Sequence, residues 1–427
     1  MNIPALLKEK AFRRYWSAQT ISMFGDQVSS IALPFVGVLA LHASAGQMGV
    51  LTALVWLPNL LFGLHAGAWV DRRGHRRATM IVADVARAIL LASIPASYAA
   101  GLLTLYQLYA VAFAVGTFSV FFTVSNPSLF VAIVPDDQYV SGNSLIYGSR
   151  AFSFMGGPSA GGVLVQLLTA PGAVIADALS YLGSAFFLAR IRVAEPPASQ
   201  GKGSLTAGAK YVATSPIVRS SLVSVSVINF FNFFLAALLV LFATKDLHVK
   251  PGVLGLVLGI GAVGGVAGAA IAGRLAERIG IGRAYALGCL LFTAPAALIP
   301  AATGPRWTIL LMLAASEFVI GFGVMVLDIS IGAIFAAVIP DEMRSRVSGA
   351  FQAVNYGIRP VGALIGGVLG TYLGLRTTLW ISAAGEVAGA LLLLPTPLPK
   401  FTMPVQPEAV ESQRAVASAT ASEVSSP

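Results

Sequence analysis

Charge and cysteine are both scarce in this sequence. Only 11% of its 427 residues are charged, and it contains one cysteine and four histidines. A single cysteine excludes an intramolecular disulfide and a metal site built from several thiolates, and we expect neither a metal nor a cofactor. So few charges cannot cover the surface of a soluble fold of this length, so the composition points to a chain that lies in the bilayer.

The apolar residues, 56% of the chain, fall into long runs. A run of about 20 apolar residues crosses the hydrocarbon core as a helix, and the alternating polarity of a barrel strand is absent from the sequence. The prediction is an all-α membrane protein whose twelve transmembrane helices lie near 15–42, 46–70, 78–100, 104–133, 142–167, 172–191, 217–243, 251–273, 284–303, 307–338, 346–371 and 377–394.

The chain contains two copies of one unit. Segments 67–74, 134–137 and 161–162 recur at 273–280, 339–342 and 366–367, with offsets of 206, 205 and 205 residues. Two pseudo-symmetric six-helix bundles are therefore expected, an arrangement in which many secondary transporters build a site at the shared interface. The predicted parts are a cytoplasmic amino terminus (1–14), an amino-terminal bundle (15–191), a cytoplasmic central loop (192–216), a carboxy-terminal bundle (217–394) and a disordered cytoplasmic tail (395–427).

The basic residues predict the orientation of the chain. Of 27 lysines and arginines, 20 lie in the amino terminus, alternate loops and tail, four lie in the opposite loops and three lie within spans. This asymmetry places both termini in the cytoplasm of a multi-pass protein of the cell (inner) membrane. The net charge of +9 then reflects the orientation of the chain in the membrane and does not indicate nucleic-acid binding.

The loop between spans two and three has the composition of a latch at the membrane surface. Its glycines permit close helix approach and a tight turn, its aspartate can face a helix amino terminus, and its arginines can meet carboxylates or lipid phosphates. The residues are Gly67, Asp71, Arg72, Gly74 and Arg76. They resemble the loop signature of the major facilitator superfamily, in which this cluster closes the cytoplasmic side while the transporter is open outward. The alternative is a generic basic loop with a glycine turn.

Span five carries a run of small residues around a proline, with Gly157, Pro158, Gly161 and Gly162. Small residues let two backbones meet, and the proline bends the helix locally. The run resembles the core of the motif that marks drug and metabolite antiporters within the superfamily, although Ser153 replaces one upstream glycine of the longer version. Ordinary small-residue packing is the alternative.

Further segments resemble one branch of the superfamily, the third drug:proton antiporter family, which contains macrolide-efflux proteins and the enterobactin-exporter group. They are 24–27 with 32–34, Asp84 with Arg87, 134–135 with 143–145, and 177–180. The resemblance covers nearly the whole chain apart from its tails. It implies the major facilitator fold, a transporter and not an enzyme, and export.

Charged residues inside spans need a partner or a function. In the superfamily, spans one, four, seven and ten line the central cavity, which places Asp26, Glu317 and Asp328 on cavity helices as proton-coupling candidates. Arg150 and Arg359 are their candidate charge partners, and Asp328 and Arg359 stand at similar depth on adjacent helices. The remaining charges are expected to be structural or stay open: Asp84 pairing with Arg87, Asp177 hydrogen-bonding, and Glu386 undecided.

The leading functional prediction is a proton-driven exporter of amphipathic small molecules, such as drugs or macrolide-like compounds. Its aromatic cavity walls would be Phe118, Phe121, Phe122, Phe230, Phe231, Phe233 and Phe234. One alternative is a dedicated exporter of a siderophore or other secondary metabolite, whose anionic cargo would favour the arginines. An alternative of another class is an uncoupled lipid-handling protein or membrane-embedded enzyme. We expect a monomer whose partners are its small-molecule substrate, protons and the lipid bilayer.

Overall fold

The computed structural model describes residues 5–193 and 205–403, and helices make up nearly all of them. Twelve long helices, numbered in chain order, are α1 (Lys10–Ala40), α2 (Ala45–Arg73), α3 (Arg76–Ala99), α4 (Leu105–Ile133), α5 (Tyr139–Leu168), α6 (Ala170–Ala189), α7 (Pro216–Lys245), α8 (Pro251–Ile279), α9 (Ile281–Ala301), α10 (Arg306–Val338), α11 (Arg344–Tyr372) and α12 (Leu375–Leu391). A short connecting helix, Leu205–Thr214, precedes α7.

The all-α membrane fold is confirmed. Ten of the long helices in the described part of the chain are long and apolar enough to cross a membrane. The other two are α11, in which Arg344, Arg346 and Arg359 lower the hydropathy, and α12, which has only 17 residues. Both still pack in the bundle, since α11 lies against α2 and α7, and α12 lies against α7.

Helical structure extends beyond two of the predicted boundaries near the ends of the described chain. Helix α1 begins at Lys10, inside the segment 1–14 expected to be the cytoplasmic amino terminus, because Phe12 and Tyr15 are buried against neighbouring helices. At the other end, Leu398 is buried and the Gly282 amide donates to the Phe401 carbonyl at 3.3 Å, so 395–403 packs on α9. Apolar anchors explain both differences, and 404–427 of the predicted tail lie outside the described residues.

The two copies adopt the same local geometry. His42 and His248, 206 residues apart, lie in the loops that follow α1 and α7 and have φ of 52° and 53°. Gly74 and Gly280, at the same offset, end α2 and α8 with φ of 68° and 90°, a region in which glycine is favoured. The repeated acidic motifs both form 3₁₀ turns, at Asp136–Gln138 and Asp341–Met343. The predicted duplication into two pseudo-symmetric halves is therefore confirmed.

The halves meet closely at one end only. We call the end where α1 begins the proximal end and the end where α1 finishes the distal end. At the distal end, a methyl group on Gly162 of α5 would lie 2.8 Å from the Cα of Gly255 of α8. At the proximal end of the same two helices, Gly148 and Gly273 have no side-chain or other-helix atom within 4 Å of such a methyl. The bundle is thus closed distally and open proximally.

Candidate transport cavity

A cavity of about 670 Å³ lies within the amino-terminal half. All six helices α1–α6 contribute to its wall, and α7 adds Ala236. The polar part of its lining includes Gln19, Ser22, Gln27, Asn59, Thr123 and Asn126. Gln19 Nε2 and Tyr15 Oη donate hydrogen bonds to Asn126 Oδ1 at 2.8 and 2.6 Å, so α1 and α4 are joined by a polar contact at this wall.

Asp26 is the carboxylate that faces this cavity. Its side chain is 44% exposed, while that of Arg87 behind it is 2% exposed. Tyr181 Oη of α6 donates to Asp26 Oδ1 at 2.5 Å, and Arg87 Nη1 of α3 lies 3.9 Å from the same oxygen. Three helices therefore meet at one carboxylate that is accessible from the cavity.

Arg87 is held from several sides. It forms an ion pair with Asp84 one turn earlier on α3 and donates to Ser119 Oγ of α4 at 3.3 Å. Its guanidinium carbon lies 4.0 Å from the Tyr181 ring centroid and 4.6 Å from that of Phe122, within cation–π range. The expected Asp84–Arg87 pair exists, and the same guanidinium also reaches Asp26.

A second carboxyl, Asp177, lies beside this group and is completely buried. Ser180 Oγ donates to Asp177 Oδ1 at 2.9 Å, and within the described residues Oδ2 has no hydrogen-bond partner. Gly25 makes this packing possible, because a methyl there would lie 2.3 Å from Asp177 Oδ1 and 1.9 Å from Ser180 Oγ. The sequence did not indicate that α6 supplies Asp177 and Tyr181 to the cavity wall. The available signal was segment 177–181, which lies beside Gly25 and is not part of the internal repeat.

The structure separates Asp328 from Arg359, so the expected pairing of these two is wrong. The Arg359 guanidinium carbon lies 4.3 Å from the Trp56 ring centroid and 4.4 Å from that of Tyr356, and Nη2 donates to Asn355 Oδ1 at 3.3 Å. The close contact of α11 with α2 turns the guanidinium toward Trp56, across the boundary between the halves. Asp328 is exposed, and it forms no ion pair with Arg359 in the described part of the chain.

Glu317 occupies a third, separate place. It lies where α10 packs on α8, and a methyl on Gly261 would come within 3.3 Å of Glu317 Oε2. The lining of the cavity contains Asp26 and Arg150 but neither Glu317 nor Asp328. The three predicted proton-coupling carboxylates therefore do not share one site, because equal depth in the membrane does not fix the direction in which a helix presents each side chain.

Of the seven predicted cavity phenylalanines, Phe122 lines the cavity and the other six pack elsewhere. Phe118 packs on the proximal apolar core, Phe121 contacts Trp69 edge-on and Phe233 contacts Trp56 edge-on. Phe231 and Phe234 fill the space left by Gly385 and Gly366, and the Phe230 ring packs on these two rings. Glycines on α11 and α12 draw the α7 rings into helix interfaces. Trp56, Phe154 and Tyr181 supply aromatic surface to the cavity instead.

The glycine–proline run of α5 has two packing faces. A methyl on Gly157 would lie 2.3 Å from Gln27 Cβ and one on Gly161 would lie 3.0 Å from the Val28 carbonyl oxygen, both on α1. On the other face, Gly162 and the Pro158 carbonyl meet α8. The run therefore joins the cavity helix α1 to the distal contact between the halves.

The latch residues lie at the open proximal end. Gly74 ends α2, and a methyl on Gly67 would meet nothing within 4 Å. Arg72 is exposed and Arg76 is buried, whereas the side chain of Asp71 lies outside the described side chains. Arg77 donates to the Ile191 carbonyl and ties this loop to the end of α6. The role of the loop as a latch stays a prediction.

Comparisons with known proteins give the family. A family model described as transmembrane secretion effector (MFS_3) matches residues 3–423. The MFS-type transporter YfiS of Bacillus subtilis is 25% identical, covering 92% of this chain and 93% of its own. The multidrug efflux pump Tap of Mycobacterium tuberculosis (strain H37Rv) is 26% identical, covering 89% and 92%. A bacterial homologue of ferroportin in an inward-facing state superposes with a TM-score of 0.72 at 14% identity, covering 92% and 99%.

The match over nearly the whole length, the duplicated six-helix halves and the cavity agree, and the expectation that the chain is a transporter and not an enzyme is confirmed. The fold is that of the superposed transporter. The chain belongs to the transmembrane secretion effector family of the major facilitator superfamily.

Proposed function

We propose that this transporter exports amphipathic small molecules by alternating access, in exchange for protons. The observation that carries the proposal is Asp26, a half-exposed carboxylate on the wall of a cavity, backed by the buried guanidinium of Arg87. The distant similarity to Tap, a multidrug efflux pump, supports drugs as the cargo class. Aromatic and small polar groups in the lining suit cargo that is held by few fixed contacts.

The coupling rests on competition between proton and cargo in one cavity. Ionised Asp26 is stabilised by Arg87 and by the Tyr181 hydroxyl, and it presents a negative charge to the cavity. Protonation removes that charge and leaves Arg87 with Asp84. A cargo that carries a positive or hydrogen-bond-donating group binds the ionised state better, so protonation at the opposite side of the membrane favours its release.

The open proximal end then faces the cytoplasm. This follows if the 20 basic residues of the termini and alternate loops lie inside the cell membrane, as the positive-inside rule expects. The distal contacts of α5 with α8 and of α2 with α11 close the outer side, so the structure corresponds to the cargo-accepting state. One chain supplies both halves and the whole cavity wall, and we propose that it works as a monomer.

A dedicated exporter of a siderophore or other anionic metabolite is the second candidate. The observation that favours it is Arg150, an exposed cation in the cavity lining. Arg359 does not contribute to that lining, since it stacks on Trp56.

Transport assays in inverted vesicles test both candidates. A panel of fluorescent cationic amphiphiles and anionic chelators is offered at the exposed cytoplasmic face, with an imposed pH gradient that is then collapsed by an ionophore. Gradient-dependent accumulation of the cationic dyes supports the drug exporter, and selective accumulation of the anionic compounds supports the metabolite exporter. Accumulation that is unaffected when the gradient is collapsed contradicts proton exchange.

A further inference from the structure

Asp177 has the surroundings of a protonated carboxyl group. It is fully buried, it receives one hydrogen bond from Ser180, and its Oδ2 has no partner among the described residues. An ionised carboxylate accepts several hydrogen bonds and loses them at high cost in a water-poor interior. A neutral carboxylic acid needs fewer hydrogen bonds, so the contacts of Asp177 fit the protonated form.

Counting the charges around Arg87 leads to the same conclusion. Three carboxyl groups face this region from three helices: Asp26 from α1, Asp84 from α3 and Asp177 from α6. Tyr181 adds a neutral hydroxyl, whose single proton is donated to Asp26. One guanidinium balances one negative charge, and each further uncompensated charge in the interior costs several kcal/mol. Two protons make the group neutral.

The other packed helices supply no second counter-ion to the group. Helix α5 contributes Arg150, which lines the same cavity but forms no ion pair with Asp26, Asp84 or Asp177 in the described part of the chain. From α4, Ser119 contacts Arg87 and carries no charge. Asp84 is also buried and its Oδ2 has no partner among the described residues, but its Oδ1 is in direct contact with Arg87, so it is the carboxylate that the guanidinium balances. The two protons therefore belong to Asp26 and Asp177.

We propose that Asp177 is a second proton-binding carboxyl, so that the cavity wall binds two protons, one on Asp26 and one on Asp177. Asp26 is exposed to the cavity, and Asp177 belongs to the same wall but is buried in it. Their charges interact, so the group loses its protons in two steps, and the second loss leaves three negative charges, on Asp26, Asp84 and Asp177, beside one cation. Only the assignment of these protons to transport rests on the proposed function.

The carboxy-terminal half provides a comparison. At the positions offset by 205 or 206 residues, Asn232 replaces Asp26, Thr293 replaces Arg87, Ser382 replaces Asp177 and Glu386 replaces Tyr181. Glu386 is fully buried, and Ser382 Oγ lies 3.1 Å from its Oε1 and 2.7 Å from the Phe231 carbonyl. Ser382 Oγ is within donor distance of both oxygens, and Glu386 Oε2 has no hydrogen-bond partner among the described residues. Glu386 is thus a buried acid that does not line the cavity.

Infrared difference spectroscopy of the purified full-length protein in lipid vesicles tests the proposal. The C=O stretch of protonated carboxyl groups is followed from mildly acidic to mildly alkaline pH, with no cargo present. In the unmodified protein we expect two such groups to lose their signal on titration. Asp26→Asn and Asp177→Asn should each remove one of the two signals and shift the titration of the remaining group, since the charge interaction between the two carboxyls disappears while Arg87 stays in place.

The outcomes separate this proposal from the proposed function. Glu386→Gln is the matched control, and it should remove a carboxyl signal that does not change with pH, leaving the titrating pair intact. If Asp177→Asn leaves both titrating signals, or removes only a signal that is independent of pH, the two-proton site is overturned whatever the protein transports. If the two signals behave as expected but no substrate moves with a pH gradient, the site stands and the proposed proton exchange fails.

Discussion

Gly162 of α5 and Gly255 of α8 touch backbone to backbone, and their repeat counterparts Gly367 of α11 and Gly49 of α2 do the same. In each pair a methyl on the first glycine would lie 2.8 Å from the Cα of the second. Gly49 and Gly255 are 206 residues apart, and Gly162 and Gly367 are 205 residues apart. The distal closure therefore consists of two copies of one contact, and it requires hydrogen as the side chain at four positions.

Adding one methyl group to this contact should open the distal end. In Gly162→Ala the new carbon meets backbone atoms that cannot rotate away, and overpacking of this kind costs about 1–3 kcal/mol. The halves separate at this end in the outward-open state, so that state avoids the cost. Spin-label distances between the distal ends of α5 and α8 should lengthen.

The control for this change is Gly148→Ala on the same helix. Gly148 has no neighbouring atom within 4 Å of the added methyl, and alanine is a better helix former than glycine. Its distal distances should match those of the unmodified protein. Equal distances in Gly162→Ala and Gly148→Ala would mean that the glycine contact does not limit opening.

Removing the Asp26 carboxylate should uncouple transport from the pH gradient. The change Asp26→Asn keeps the size of the side chain, and the new amide oxygen can still accept from Tyr181, but the amide cannot bind and release a proton. We expect gradient-driven efflux to fall about tenfold or more, which corresponds to about 1.4 kcal/mol in the activation free energy of transport, while downhill exchange is kept. The measurement is the efflux, with and without a pH gradient, of a dye that the unmodified protein transports in the vesicle panel.

Glu317→Gln and Asp328→Asn are the informative comparisons for Asp26. Neither residue lines the cavity, so we expect both variants to retain more gradient-driven efflux than Asp26→Asn. If Glu317→Gln or Asp328→Asn abolishes gradient-driven efflux and Asp26→Asn does not, the coupling site lies in the carboxy-terminal half.

Arg87 should be more important for assembly than any one of its carboxylates. Replacing it in Arg87→Gln leaves Asp84 buried without its cation, and breaking a buried pair in this way costs about 3–5 kcal/mol. The double change Asp84→Asn with Arg87→Gln removes both charges and should recover part of the loss. Thermal unfolding of the detergent-solubilised protein measures both. A double variant no more stable than Arg87→Gln would show that the pair is not the source of the stability.

The sequence predicted what depends on position along a helix and failed where rotation about the helix axis decides. The turns at Gly74 and Gly280 and the distal contact at Gly162 follow from the repeat, because glycine has a local meaning at each. The pairing of Asp328 with Arg359 rested on equal depth alone. Depth gives the position of a residue along the helix, whereas the direction in which its side chain points depends on how the helix packs.

The cavity shows the same limit. Asp26 was predicted as a cavity residue from its place on α1, whereas Arg87 and Asp177 were assigned to supporting helices and given structural roles. They reach the cavity because Gly25 lets α6 approach α1 and because a long arginine side chain extends between helices. Neither effect leaves a periodic pattern in the sequence. The bulky α7 phenylalanines were misplaced for a related reason, since the glycines that receive them lie more than 100 residues away.

A double-mutant cycle decides what Arg359 pairs with. In the structure its guanidinium lies over the Trp56 ring, so Trp56→Leu and Arg359→Gln remove the same contact. A cation–π pair is worth about 0.5–2 kcal/mol, and the loss from the double change should fall short of the sum of the single losses by that amount. Thermal unfolding in detergent, converted to free energies, measures all four proteins.

The matched cycle uses Asp328→Asn with Arg359→Gln. Asp328 is exposed and does not contact Arg359, so these two changes should be additive within about 0.5 kcal/mol. Trp56 belongs to the amino-terminal half and Arg359 to the carboxy-terminal half, so the first coupling also reports contact between the halves. Additivity for Trp56 together with coupling for Asp328 would restore the pairing expected from helix depth and contradict the contact between Arg359 and Trp56.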